Sequence, residues 1–280
     1  MELGKIVGIV HITKRDASGV ILEETSHNTE TNYALSAIAQ WLAGIPNWGA
    51  IIPPSQIGAG NGSGTVSASD TSLWSPIAGT QRLCDSIEYT LGYYAQFSVT
   101  YGTSDPNGTY SELGLFDANG NMWAHVSINQ YKDVGQTLTA QWMIYMQPDS
   151  TNGTITVTNY ACSAVAQWLA GTPNATGGIA PPTTIQLGTG AGTPTPQDTA
   201  MWAPSTATNL SIQSYGVTSS NSTQFATTFS SSSDPGGPFT EVALWDDGGN
   251  MWVHGQMPSA AKYSNMNLAI AVTIGVAGDQ

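Results

Sequence analysis

Charge is what this sequence has least of. Charged residues make up 9% of the 280 residues, against about 25% in a typical soluble domain. Six are Lys or Arg and 19 are Asp or Glu, for a net charge of −13. A groove that neutralises phosphates needs clustered cations, so nucleic acid is not an expected partner. An anionic membrane surface repels such a chain for the same reason. No apolar run reaches about 18 residues, so no membrane insertion is expected. The start, Met1-Glu2-Leu3-Gly4-Lys5, lacks the charged, apolar and small-residue regions of a signal peptide. The expectation is a protein made in the cytoplasm and not exported. The two cysteines, Cys84 and Cys162, are too few for a disulfide framework. They form no CxxC or Cys/His cluster for zinc and read as buried free thiols.

What is there is uncharged polarity beside a large apolar fraction. The chain holds 33 Thr, 28 Ser, 31 Gly and 15 Pro, with 40% hydrophobic residues, 9 Trp and 11 Tyr. That is enough to bury a core, which excludes a disordered chain. Hydroxyls and amides, rather than charges, must build the surface.

The sequence also repeats itself. Asn32–Gly44 reads NYALSAIAQWLAG and Asn159–Gly171 reads NYACSAVAQWLAG, identical at eleven of thirteen positions. Further matches follow in the same order. Pro53-Pro54 answers Pro181-Pro182, and Gln56-Ile57-Gly58 answers Gln186-Leu187-Gly188. Asp70-Thr71-x-x-Trp74-x-Pro76 answers Asp198-Thr199-x-x-Trp202-x-Pro204. The run starting at Glu112 answers that at Glu241, and Gly120-Asn121-Met122-Trp123-Ala124-His125 answers Gly249-Asn250-Met251-Trp252-Val253-His254. A collinear match of this kind is a tandem duplication. The expected division is a first repeat domain over 1–147, a linker turn over 148–153 and a second repeat domain over 154–280.

Each repeat reads mainly as strands. Ile6–Ile12 and Val20–Glu23 form an N-terminal hairpin around Asp16-Ala17-Ser18-Gly19. Thr137–Met146 and Thr154–Thr158 are expected to form its counterpart in the second repeat. One apolar helix follows in each, over 33–43 and 160–170, with Asn32 and Asn159 as N-caps and Gly44 and Gly171 at the C-terminal end. A helix this apolar is buried against a sheet. Strands at Gln96–Thr100 and Gln224–Phe229, and hairpins over 113–128 and 242–257, complete the pattern. The fold class expected is mainly β: two tandem homologous antiparallel β-sandwich or barrel-like domains, each with one short buried α-helix.

Chemistry is harder to find. The histidines are His11, His27, His125 and His254, and no Gly-x-Ser-x-Gly elbow accompanies them. The duplicated acids Asp70/Asp198, Glu112/Glu241 and Asp117/Asp246 could in principle be paired carboxylates for sugar hydrolysis. They read instead as a local cap, a strand start and a hairpin turn. The turns Asp117-x-Asn119-Gly120 and Asp246-Asp247-Gly248-Gly249-Asn250 resemble calcium loops, but Ile128 and Met257 stand where the twelfth-position acid belongs. No catalytic, cofactor or metal residue is assigned. Trp41, Trp74 and Trp123 recur as Trp168, Trp202 and Trp252 and read as core. Trp48, Trp142 and Tyr93-Tyr94 do not recur and are the candidates for a surface role, including glycan stacking. Lys5, Lys14 and Arg15, half of the basic residues, make the N-terminal hairpin a candidate docking element.

The order His27-Asn28, the capped helix at Asn32, Ile57-Gly58-x-Gly60, Ser69-Asp70-Thr71-x-Leu73 and Ser111-Glu112-Leu113-Gly114-Leu115-Phe116-Asp117-Ala118-Asn119-Gly120 resembles a group of small structural proteins of tailed bacteriophages. These tail or tail-fibre proteins carry "GTG…SDT" and "SEIGLFDADG" segments. The second repeat matches through Leu187-Gly188-Thr189-Gly190 and Asp198-Thr199-Ala200. It departs at Thr240-Glu241-Val242-Ala243-Leu244-Trp245-Asp246. The resemblance implies a non-enzymatic virion component: a capsid decoration or cement protein, or a tail, baseplate or fibre piece. Its partners would be copies of itself and other virion proteins. The alternative is an adhesin module that binds host surface glycan.

Overall fold

Alternation of buried and half-buried side chains marks several of the strands that carry this fold. The computed structural model describes residues 2–43, 51–90, 94–148, 155–170, 179–219, 221–231, 237–263 and 265–278. The first repeat comprises β1 (Glu2–Asp16), β2 (Gly19–His27), β3 (Thr29–Glu30), α1 (Asn32–Leu42), β4 (Gln56–Gly60), β5 (Arg82–Leu83), β6 (Ser86–Thr90), β7 (Tyr94–Tyr101), β8 (Gly108–Phe116), β9 (Met122–Lys132) and β10 (Thr137–Gln147). The second comprises β11 (Ile155–Val157), α2 (Asn159–Leu169), β12 (Thr184–Gly188), β13 (Leu210–Ser211), β14 (Ser214–Ser219), β15 (Ser222–Phe229), β16 (Phe239–Trp245), β17 (Met251–Ala260) and β18 (Leu268–Gly278). In β7 every second residue, Ala95, Phe97, Val99 and Tyr101, is buried, and Thr223, Phe225, Thr227 and Phe229 do the same in β15. Period two with one wet face is what an antiparallel sheet over a core requires.

The protein is mainly β, and the two repeats are joined through one sheet. Each repeat has its own five-stranded antiparallel sheet, β3-β9-β8-β4-β5 and β11-β17-β16-β12-β13. The other strands form an eight-stranded sheet in the order β14-β15-β18-β1-β10-β7-β6, with β2 attached to β1. β1 pairs antiparallel with β10 from Lys5 to Arg15 and parallel with β18 at Glu2–Ile6. It therefore stitches the last strand of one repeat to that of the other. The ends of this sheet, β6 and β14, are equivalent strands of the two repeats.

The helices are exchanged between repeats. α1 packs on β18 and β15 of the second repeat as well as on β9 of its own, while α2 packs on β10 and β7 of the first and on β17 of its own. Thr223 Oγ1 donates to the Ala39 carbonyl, and Tyr89 Oη meets Ser163 Oγ at 2.5 Å. Both bonds cross the repeat boundary. At the centre the Trp41 and Trp168 rings stack with centroids 4.9 Å apart and planes 17° apart. Trp252 lies 6.0 Å from Trp41 and Trp123 lies 5.9 Å from Trp168. One apolar core thus runs through both repeats.

Several expectations change here. The N-cap is Thr31 or Thr158, one residue earlier than Asn32 or Asn159. Thr31 Oγ1 accepts from the Ala34 amide at 3.2 Å and Thr158 Oγ1 from Ala161 at 3.3 Å, so the asparagines are already helical. The second-repeat hairpin does not form: β10 pairs with β1 and β7, and β11 pairs with β17 in another sheet. β1 occupies the edge of β10 that such a hairpin would need. Trp142 is fully buried and its Nε1 donates to Asn28 Oδ1 at 2.9 Å, so it is core rather than surface. The Tyr94 and Tyr145 rings meet across β7 and β10, with centroids 4.8 Å apart and planes tilted by 39°. Trp48, Tyr93, Gly44, Gly171 and linker positions 149–153 lie outside the described residues. Among the described residues no helix is long and apolar enough to cross a membrane.

Candidate functional site

Each repeat buries a carboxylate–imidazole–carboxylate chain. In the first, His125 Nδ1 lies 2.6 Å from Asp70 Oδ2 and Nε2 lies 3.0 Å from Glu112 Oε2. In the second, His254 Nδ1 lies 2.5 Å from Asp198 Oδ2 and Nε2 lies 2.8 Å from Glu241 Oε1. Both imidazoles and both glutamates are fully buried. A neutral imidazole donates from one nitrogen only. For both contacts to be hydrogen bonds, each chain must hold two protons across its three groups. The Trp74 ring lies 4.5 Å from His125 and the Trp202 ring 4.4 Å from His254. Trp74 is half-exposed and Trp202 is exposed; both roof the histidines and neither is core.

The glutamates also organise the loops. Glu112 accepts the amides of Gly62 at 3.1 Å, Trp74 at 2.9 Å and Ser75 at 2.8 Å. Glu241 accepts those of Gly190 at 3.2 Å, Trp202 at 2.5 Å and Ala203 at 3.1 Å. This explains the Gly-x-Gly spacing at Gly60/Gly62 and Gly188/Gly190. A Cβ at Gly62 or Gly190 would stand 2.7 or 2.6 Å from the glutamate oxygen, well inside van der Waals contact. The glycines are needed because a buried carboxylate occupies the space of their side chains.

Asp70 and Asp198 do cap locally, taking the amides of Ser67 and Thr195 at 3.0 Å each. They also reach the histidines, which the sequence reading did not foresee. The Asp198 carboxyl sits below its ordinary value of 3.8: burial pushes it up, but the bonds from Thr195 and His254 outweigh this. A folded value below the unfolded one stabilises the protein above the unfolded value, and this contribution is lost as pH falls through the folded value. Asp198→Asn is therefore expected to flatten the acid limb of stability below pH 3.8, read by urea unfolding across that range. A limb as steep as the wild type's would refute the assignment.

Asp117 and Asp246 hold the hairpin turns. Asp117 Oδ1 accepts the amides of Asn119 and Asn121 at 2.8 and 2.9 Å, and Oδ2 accepts Tyr33 Oη at 2.8 Å. Asp246 Oδ1 accepts the Asn250 amide at 2.9 Å and Oδ2 accepts Tyr160 Oη at 2.6 Å. Burial, then these carboxylates, push both phenols well above their ordinary range. With the oxygens taken by protein donors, EDTA is expected to leave the melting temperature unchanged. A drop reversed by calcium would overturn that. Burial pushes the Cys84 and Cys162 thiols up to about 12, which keeps them inert. In the basic hairpin, Lys14 Nζ donates to the Tyr131 carbonyl at 3.2 Å and Arg15 is exposed.

Beside each chain lies a surface cavity. The first, about 320 Å³, is lined by Asn32, Tyr33, Ala68, Ser69, Asp70, Thr71, Gly120, Asn121 and Met122. The second, about 530 Å³, is lined by Asn159, Tyr160, Pro196, Gln197, Asp198, Thr199, Gly249, Asn250 and Met251. These are the same positions in the two repeats. In comparisons with known proteins, no family model, no curated protein and no solved structure matches the chain.

Proposed function

We propose that this protein is a non-enzymatic structural component of a tailed-bacteriophage virion, acting through contacts with copies of itself and with other particle proteins. The observation that carries the reading is the eight-stranded sheet. It ends in two equivalent strands, β6 and β14, and neither has a second partner among the described residues. β14 reads Ser-Tyr-Gly-Val-Thr-Ser, without charge or proline, and exposes Tyr215 and Val217. An unguarded edge of this kind is a template for pairing with another chain. Few charges and many hydroxyls and aromatics suit permanent contacts, whose buried centres are depleted of charge.

His125 and His254 are not placed to serve as the base of a nucleophilic site. Both nitrogens of each ring face carboxylates inside the fold, so no nitrogen is left to activate a nucleophile.

The test is location and assembly. Antibody labelling of purified particles that encode the chain should place it at a fixed structural position. Isolated protein should remain associated in light scattering at about 1 M NaCl, where charges are screened beyond about 3 Å and apolar contacts are not. A strict monomer that binds no particle component would sink the proposal.

A further inference from the structure

We infer that the two matched cavities at the starts of α1 and α2 are a pair of binding sites for a neutral saccharide. Both have the volume of a small-ligand site, about 320 and 530 Å³, against a usual range of about 300–1,000 Å³. Of their nine lining positions, two differ between the repeats (Ala68/Pro196 and Ser69/Gln197) and the other seven are identical.

Most of that identity has an internal cause. Tyr33 and Asn121 bond Asp117, and Asp70 bonds His125. Gly120 and Gly249 have φ of 83° and 75°, a region that favours glycine. Asn32 and Thr71 are different. Both are exposed, as is Thr199, and Asn159 is half-exposed. None of the four side chains makes a hydrogen bond to another described residue, yet both pairs are kept. Among exposed neighbours with no such duty the record is mixed: Ser72 is Ala200 and Asn119 is Gly248, while Thr65 and Thr193 are alike. Each cavity therefore presents two polar side chains with no partner among the described residues, free to bond a ligand.

The lining selects the class of ligand. No Lys, Arg or His lines either cavity, so an anion has no counter-charge. Each holds one carboxylate, already bonded to a histidine and a backbone amide. Among the described residues no group of three His, Cys, Asp or Glu is arranged to hold a metal ion. What remains is an asparagine amide that donates and accepts, a threonine hydroxyl that does both, and apolar surface from the half-buried ring of Tyr33 or Tyr160. Vicinal hydroxyls on a ring with an apolar face meet all three demands. Two weak sites on one chain favour a ligand that itself repeats, since linked engagement raises avidity about 10²–10⁴-fold.

The site does not depend on particle membership, so its test is separate from that of assembly. The full chain is applied to an array of neutral and acidic oligosaccharides, beside a variant carrying Asn32→Ala, Thr71→Val, Asn159→Ala and Thr199→Val. These positions lack internal bonds, so the variant should melt with the wild type. The wild type should be retained on one or more neutral glycans, and the fourfold variant should bind them at least about tenfold more weakly, a loss of about 1.4 kcal/mol. Variants altered in one repeat alone should fall between. If the fourfold variant unfolds, Asn32→Gln with Asn159→Gln, which keeps the amide but displaces it, replaces it in the comparison. Retention of no neutral glycan, equal retention of wild type and variant, or preference for acidic glycans would overturn the inference.

Discussion

Trp41→Ala and Trp168→Ala will each cost about 3–5 kcal/mol, the range for truncating a large aromatic in a packed core, and both losses will fall on a single unfolding transition. Trp41 is 4% exposed and Trp168 is 6% exposed. Each stacks on the other and also meets a tryptophan of the opposite five-stranded sheet. Removing either indole opens a cavity that touches both repeats. Because α1 rests on β15 and β18, and α2 on β7 and β10, neither repeat keeps its packing once the other is lost. The two alanines should also be non-additive. Their stacked contact, worth about 0.5–1.5 kcal/mol beyond area burial, is lost with the first substitution and cannot be lost again. Trp41→Phe is a useful contrast, since Trp41 Nε1 has no hydrogen-bond partner. This smaller truncation should cost less than the alanine substitution, since the cost grows with the cavity left behind. Denaturant melts monitored by circular dichroism would decide. Two separate transitions, or an alanine loss below about 1 kcal/mol, would show that the repeats are independent or that the indoles are not core.

The duplication made the fold class and both helices readable from residues alone. Eleven shared positions between Asn32 and Gly171 fixed where each helix lies, and alternation around Phe97 and Phe225 fixed the strands. The exchange of helices was not readable, and the reason is degeneracy. Two repeats with nearly identical helices offer α1 two similar beds, its own β7/β10 and the other repeat's β15/β18. No local periodicity distinguishes them. The choice is set by the non-local pairing of β1 with both β10 and β18. The histidine chains were missed for another reason. Asp70, Glu112 and His125 are spread over 55 residues, and each has a sufficient local reading. One signal was present: Glu112 and His125 lie among buried apolar residues of β8 and β9, and both recur in the second repeat. A charged residue kept twice at an inward position needs a partner inside.

That partner makes Glu112 and Glu241 the second pair of sensitive positions. Glu112→Ala and Glu241→Ala are each expected to cost about 3–5 kcal/mol, because several buried donors lose their acceptor at about 1–3 kcal/mol each. Glu112 takes hydrogen bonds from three backbone amides and shares a proton with His125 Nε2. Without it, these donors face a dry cavity, and the imidazole keeps Asp70 as its one carboxylate. Glu112→Gln is nearly isosteric but turns an NH₂ group toward at least one backbone amide that only donates, whichever way the amide is oriented, so shape alone should not rescue it. The loss should also be local before it is global. Gly62, Trp74 and Ser75 anchor the loop over residues 61–75, which carries Asp70 and Thr71 into the cavity at α1. Hydrogen exchange at these three amides should accelerate in Glu112→Gln while the matching amides of Gly190, Trp202 and Ala203 stay protected; the reverse pattern should hold for Glu241→Gln. A double-mutant cycle with His125→Gln should give a coupling of at least about 0.5 kcal/mol, as for residues in one hydrogen-bonded network. Additive losses with unchanged amide protection would mean that the carboxylate fills space and does not hold the loop.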